Sequence, residues 1–193
     1  GGLFSAFIPV GAYLFLKFKG HDGHVKLPQV FAIDKIDSQR VEGKMVFDTT
    51  YHTVGDVRLI SQLGDTISIN ETLKGKILVV NFFFTSCMSI CPQLSKNMKL
   101  LNTAYKKNDS SIRFLSISVD PENDSVPRLR MYADKLDANH DKWLFLTGNK
   151  KDIYDFARYE LRLSTDTGTG DKNDFIHPDQ FVLIDKYRNI RGY

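Results

Sequence analysis

A chain of 193 residues with 26 Lys and Arg against 23 Asp and Glu carries a formal charge of +3. Its basic residues are scattered in ones and twos, which excludes the concentrated basic face that nucleic acid requires. At 42% hydrophobic and 25% charged it has the composition of a globular domain, long enough to bury a core without disulfide staples. Only two cysteines occur, four positions apart, which reads as a chemical site and not as a crosslinked scaffold.

Residues 3–16 (LFSAFIPVGAYLFL) carry no charge and are followed by Lys17 and Lys19. The run falls short of the roughly 20 apolar residues of a membrane span. Residues 1–19 are read as the remaining end of a membrane anchor. Residues 20–50 are polar and mixed, with Gly20, Gly23, Pro28 and Gly43, and read as a linker and irregular lead-in. Residues 51–193 read as one globular domain.

Within that domain, residues 57–60 (VRLI) and 66–69 (TISI) flank Gly64 and Asp65 as a short hairpin. Residues 77–84 (ILVVNFFF) form an apolar run with the length of a strand buried on both faces, as in a parallel sheet. Cys87, Met88, Ser89, Ile90, Cys91 and Pro92 come next, and Leu94, Met98, Leu101 and Tyr105 then recur at helical spacing. Pro92 suits a first helical turn, where its missing N–H costs little. A strand over 112–119, a helix marked by Leu129, Tyr132, Ala133 and Leu136, and a strand over 143–146 follow. A helix marked by Ile153, Phe156, Ala157 and Leu161, a polar loop over 164–178, a strand over 180–184, a turn and a last strand from Ile190 complete the order.

Strands alternating with helices, closed by two consecutive strands, predict an α/β sheet of thioredoxin-like arrangement with an N-terminal β-hairpin extension. A thioredoxin-like fold ends in one more helix. The chain stops at Tyr193, so that helix is expected to be missing and one face of the sheet less well covered.

Cys87 and Cys91 therefore sit where a central strand hands over to a helix. Positions i and i+4 share a helix face, so both sulfurs can point at one metal ion or at each other. The helix N-terminus, with its unpaired N–H groups and positive dipole end, favours thiolate over thiol. A redox dithiol of the thioredoxin type has two residues between its cysteines. The three here suit a chelate, though they do not forbid a disulfide. Two thiolates are soft donors suited to Cu(I) or Zn(II), and a third ligand, an imidazole, is expected elsewhere in the chain. Of the five histidines, His21 and His24 fall in the lead-in, His52 precedes the hairpin and His140 stands in a charged turn. His177 lies in the loop entering the fourth strand, which in a thioredoxin-like fold lies against the cysteine turn. It is the expected ligand. Asp120, which ends a central strand, is read equally as a turn former before Pro121 or as a carboxylate supporting the site. Met88 is read as a packing or exposed side chain.

The run Phe82, Phe83, Phe84, Thr85, Ser86, Cys87, Met88, Ser89, Ile90, Cys91, Pro92 resembles the copper motif of the Sco/SenC family, an apolar strand followed by T-x-C-x-x-x-C-P. The stretch SISVDPEND over 116–124 resembles that family's second-strand signature, and His177 stands eight residues before Asp185, as the family's metal histidine does. The resemblance covers roughly residues 51–193. It departs in one place: the family carries Asp directly before the histidine, where this chain has Ile176, with Asp174 and Asp179 nearby.

The resemblance implies a membrane-anchored copper chaperone or thiol reductant. It would hold one copper ion, as Cu(I) or Cu(II), through Cys87, Cys91 and His177. Its partner would be the copper-accepting subunit of cytochrome c oxidase, whose dinuclear copper centre it helps to assemble, or another membrane cuproprotein. The domain would face the periplasm or an equivalent oxidising space. The alternatives are a thiol-disulfide oxidoreductase or thiol peroxidase using Cys87 and Cys91 as a redox pair, and a copper or redox sensor without catalysis.

Overall fold

The computed structural model describes residues 32–41, 43–88, 91–105, 110–163 and 180–193. Strands β1 (Ile33–Val41) and β2 (Lys44–Tyr51) form a two-stranded antiparallel sheet of their own. The remaining elements are β3 (Arg58–Ser61), β4 (Thr66–Ser68), β5 (Ile77–Phe83), α1 (Cys91–Ala104), β6 (Ile112–Ser118) and α2 (Val126–Lys135). They continue through β7 (Trp143–Thr147), α3 (Lys150–Asp155) running into a π-turn (Phe156–Glu160), β8 (Val182–Ile184) and β9 (Ile190–Gly192).

Seven strands make one sheet in the order β4-β3-β7-β6-β5-β8-β9. The central trio β5, β6 and β7 is parallel, in register Val79 to Phe114 and Phe114 to Trp143. The flanking strands β3 and β8 run antiparallel to β7 and β5. The alternation of the pleat sorts the apolar runs into two cores. Leu78, Val80, Phe82, Leu115, Ile117, Leu144 and Leu146 face one side, where Ile153, Phe156 and Leu161 cover them. Phe83, Phe114, Trp143 and Phe145 face the other, under Cys91 and Met98 of α1 and Leu129 and Ala133 of α2. Both faces are filled, which is why β5 reads as a continuous apolar run. The one polar break within it is structural: Asn81 accepts from the Ser116 hydroxyl at 2.7 Å, which in turn accepts from Trp143 Nε1 at 2.9 Å.

The expected α/β order appears, with the strands within two residues of their expected ends and each helix starting three residues before its first apolar marker. The last helix breaks into a π-turn after Asp155. The irregular lead-in requires correction, because residues 33–51 form the β1–β2 hairpin, turning at Gly43 with φ +80°. Nearly every residue of both strands is exposed, so no buried face imposes an apolar alternation that the sequence would display. An apolar groove of about 520 Å³ opens beside α1, lined by Val79, Leu101, Tyr105, Phe114, Phe181 and Tyr193 among others. Among the described residues no helix is long and apolar enough to cross a membrane. Residues 3–16 and the loop over 164–178 lie outside the described residues, the loop's described flanks being Leu163 and Gln180.

Candidate metal centre

β5 delivers the chain to the site. Beyond Phe83, the Val119 N–H still donates to the Phe83 carbonyl at 2.9 Å, so the β5–β6 ladder holds up to the turn. The Cys87 N–H then donates to the Phe84 carbonyl at 3.2 Å, folding Thr85 and Ser86 into a tight turn. α1 begins at Cys91, with Pro92 in its first turn as expected. Its buried residues, Cys91, Leu94, Ser95 and Met98, repeat at helical spacing and put Cys91 on the face that packs against the sheet.

The two thiols hydrogen-bond to each other and differ in exposure: Cys87 is half-buried, Cys91 fully buried. Burial, and then the hydrogen bond with Cys87, push the Cys91 thiol up to about 12. Backbone N–H groups pull the other way but are outweighed. The sequence led us to expect the helix N-terminus to favour thiolate here. The desolvation of a sulfur packed among Phe83, Met98 and Leu129 is the larger effect. Tyr132 forms the adjoining wall, its ring 5.2 Å from that of Phe83 and its hydroxyl 3.1 Å from the Ser95 hydroxyl. Burial raises the Tyr132 phenol, the Ser95 bond opposes this, and negative charge on Cys91, Cys87 and Asp124 adds to the rise.

Asp124 supports the turn from beneath. It is fully buried and accepts from the Thr85 N–H at 3.0 Å, the Thr85 hydroxyl at 2.5 Å and the Ser118 hydroxyl at 2.6 Å. Sequence reasoning quoted this residue within a signature but gave it no role. An acidic residue between a strand end and a helix start reads as surface turn, and only burial distinguishes it. Asp120 is 8% exposed, and its carboxylate accepts from Asn123 Nδ2 at 3.0 Å while its carbonyl accepts the Asn123 and Asp124 N–H groups. These are the contacts of a turn former.

Met88 is 94% exposed. His140 is engaged structurally, 3.0 Å from Asp134 Oδ1 and 3.0 Å from Gln62 Nε2. His52 is buried between Asp34 and Glu160, on the opposite core. His177, Asp174 and Asp179 lie outside the described residues, as do His21 and His24. Among the described residues no three His, Cys, Asp or Glu side chains surround a common point. Cys87 and Cys91 thus bring two soft donors together. A thiol pair in mutual contact, one residue half-buried and the other fully buried, suits a soft monovalent ion or an internal disulfide.

The family model described as SCO1/SenC matches residues 47–193. The chain belongs to the SCO1/SenC family. The SCO1 protein homolog of Bacillus subtilis is 32% identical over 143 residues, covering 74% of this chain and 73% of that protein. Among solved structures, BsSco, described as a member of the Sco family of cytochrome c oxidase assembly proteins with a disulfide switch, is 31% identical with a TM-score of 0.60. That match covers 72% of this chain and 80% of BsSco. Arabidopsis thaliana ScoI, solved with copper bound, is 27% identical with a TM-score of 0.55, covering 72% of this chain and 84% of that one. These Sco structures share the thioredoxin-like fold of this chain.

Proposed function

We propose that this Sco protein binds one copper ion through Cys87, Cys91 and His177 and serves the assembly of a dinuclear copper centre. The recipient would be the copper-accepting subunit of cytochrome c oxidase or another membrane cuproprotein. The observation that carries this reading is the mutual contact of the two thiols beyond the end of β5, with Cys87 only half-buried. That a Sco relative is solved with copper bound, and another described as an oxidase assembly protein, supports it.

His177 is taken as the third ligand from the family resemblance. Val182 pairs with Val80 and β8 runs antiparallel to β5, so β8 begins beside the half of β5 that leads towards Cys87. His177 precedes Val182 by five residues in the sequence. Two thiolates and one imidazole hold Cu(I) or Cu(II) while leaving it open to a partner's ligands, and its positive charge would offset the cost of ionising the buried Cys91 sulfur. The apolar run over residues 3–16 supports a domain tethered to a membrane and facing the periplasm or an equivalent oxidising space.

Copper stoichiometry and absorption spectra of the parent and of Cys87→Ala, Cys91→Ala and His177→Ala test the assignment. The parent should take up one equivalent and display a sulfur-to-copper charge-transfer band with Cu(II). Each variant should lose the band or weaken binding by an order of magnitude or more, roughly as loss of a ligand does. A His177→Ala protein that binds as tightly as the parent overturns the third ligand.

A second reading is favoured by the asymmetry of the sulfurs. A half-buried Cys87 beside a fully buried Cys91 is also the arrangement of an attacking and a resolving thiol in a thiol-disulfide oxidoreductase or thiol peroxidase. Turnover of a disulfide or of peroxide at catalytic rates by copper-free protein, undiminished in His177→Ala, would establish it.

A further inference from the structure

A buried carboxylate ties the turn that presents Cys87 to β6 and α2. Cys87 follows Thr85 by two residues, and Thr85 gives both its backbone N–H and its hydroxyl to Asp124, at 3.0 and 2.5 Å. Asp124 is fixed in turn from two sides. The Ser118 hydroxyl at the end of β6 donates to its Oδ2 at 2.6 Å, and its own N–H donates to the Asp120 carbonyl at 2.9 Å. Arg128, one turn into α2, stands with Nε 3.8 Å from Oδ1. The carboxylate has no exposed surface, so these donors replace its water. A charged acceptor in such surroundings makes hydrogen bonds about twice as strong as neutral ones.

An apolar side chain there would leave the Thr85 N–H and hydroxyl and the Ser118 hydroxyl without their acceptor. What the carboxylate adds is direction, because it fixes both polar groups of Thr85 and so the path of the chain into Cys87. We propose that Asp124 is a positioning residue for the cysteine pair: acting through Thr85, it holds the Cys87 sulfur against Cys91 and so sets how tightly the pair grips a soft metal ion or closes as a disulfide. The metal part of this inference rests on the copper reading above. The disulfide part does not.

Two measurements on the full chain test it, in Asp124→Asn, Thr85→Val, Thr85→Ser and a stability control, Ser116→Ala. Ser116 lies in the core, bonded to Asn81 and Trp143, and touches none of the turn's groups. The first measurement is the equilibrium with glutathione, in which the protein dithiol and one glutathione disulfide give the Cys87–Cys91 disulfide and two glutathiones. The second is Cu(I) affinity by competition with a chromogenic chelator. Asp124→Asn and Thr85→Val should lower the disulfide constant about tenfold, in line with one hydrogen bond to a charged group. They should lower copper affinity about 10- to 100-fold, as loss of a ligand-orienting partner does. Thr85→Ser keeps both donors and should match the parent, and Ser116→Ala should lose stability while keeping both constants.

If Asp124→Asn does not fold, Thr85→Val, which removes one hydroxyl, carries the test alone. Thr85→Val constants within twofold of those of Ser116→Ala would overturn the proposal. A parent that binds no copper, with a disulfide constant that still falls in Thr85→Val, would leave the positioning role standing and remove the copper reading.

Discussion

Cys87 and Cys91 hydrogen-bond to each other across the first turn leading into α1, yet only Cys87 reaches solvent. Their reactivities should therefore separate. Thiol alkylation proceeds through the thiolate. A Cys91 thiol pushed up to about 12 presents roughly one thiolate in ten thousand at pH 8, inside a closed core. In copper-free, reduced protein, iodoacetamide at pH 8 should modify Cys87 at least tenfold faster than Cys91, as followed by peptide mass spectrometry. The same burial makes stability sensitive to alkali. The folded value lies above the ordinary thiol value of 9.0, so the contribution is complete below about pH 9 and is lost as pH rises towards 12. A Cys91→Val protein should lack this alkaline loss. Labelling of both cysteines at equal rates would contradict the burial of Cys91.

How much of this was legible beforehand follows from what each residue answers to. β5, β6 and β7 are buried on both faces, and their apolar runs announced them. Cys87 and Cys91 were legible as a pair because helical spacing begins where the apolar run ends. The β1–β2 hairpin was not legible, because exposed strands owe no pattern to a core. Asp124 was hidden for the opposite reason: its chemistry is surface-like, and only the tertiary fold buries it. The elevated Cys91 thiol belongs to the same class, since a helix start is local and desolvation is not.

Arg188 is a buried cation with a purely structural task. At 7% exposure and φ +70°, it donates to the carbonyls of Ile69, Leu73 and Lys76 at 2.6, 2.6 and 3.0 Å and to Asn70 Oδ1 at 2.7 Å. It thereby ties the β8–β9 turn to the segment before β5. Arg188→Ala removes these donors and orphans several carbonyls at about 1–3 kcal/mol each where they stay dry. The expected loss is about 3–5 kcal/mol in urea unfolding. Arg188→Lys should recover less than half of it, because one ammonium cannot span three separated carbonyls. Full rescue by lysine would show that charge alone matters at this position.

Asp185 shapes the same turn and makes it pH-sensitive. Burial alone would raise its carboxyl, but the N–H groups of Asn189 and Tyr187, the Asn189 side chain and Arg191 together hold it below the ordinary carboxylate value of 3.8. A depressed folded value stabilises the fold above the ordinary range and ceases to do so as pH falls through the lowered value. Asp185→Asn should therefore destabilise by about 1–2 kcal/mol at pH 7, as removal of a charged acceptor does. The gap between parent and variant should narrow steadily below about pH 4. A gap of constant size from pH 7 to pH 3 would mean that the carboxylate charge contributes nothing.

The hairpin arm is fastened to the main sheet at His52. Its Nε2 lies 2.8 Å from the Glu160 carbonyl in the π-turn, its Nδ1 3.2 Å from Asp34 of β1, and its N–H donates to the Ala32 carbonyl at 2.7 Å. Arg162 pairs with the same Asp34, and the Gly55 N–H donates to Glu160 Oε2 at 2.5 Å, so that a Cβ at Gly55 would push the flexible Glu160 carboxylate aside. The arm itself buries almost nothing, so these polar contacts, and not apolar area, fix it to the domain. In His52→Ala, the amides of β1 and β2 should exchange with deuterium at least fivefold faster than in the parent, roughly the effect of losing one net hydrogen bond. Exchange in β5 and β6 should stay unchanged, because their protection comes from the two cores. If exchange rises equally in all four strands, His52 supports the domain as a whole and is not a local fastening.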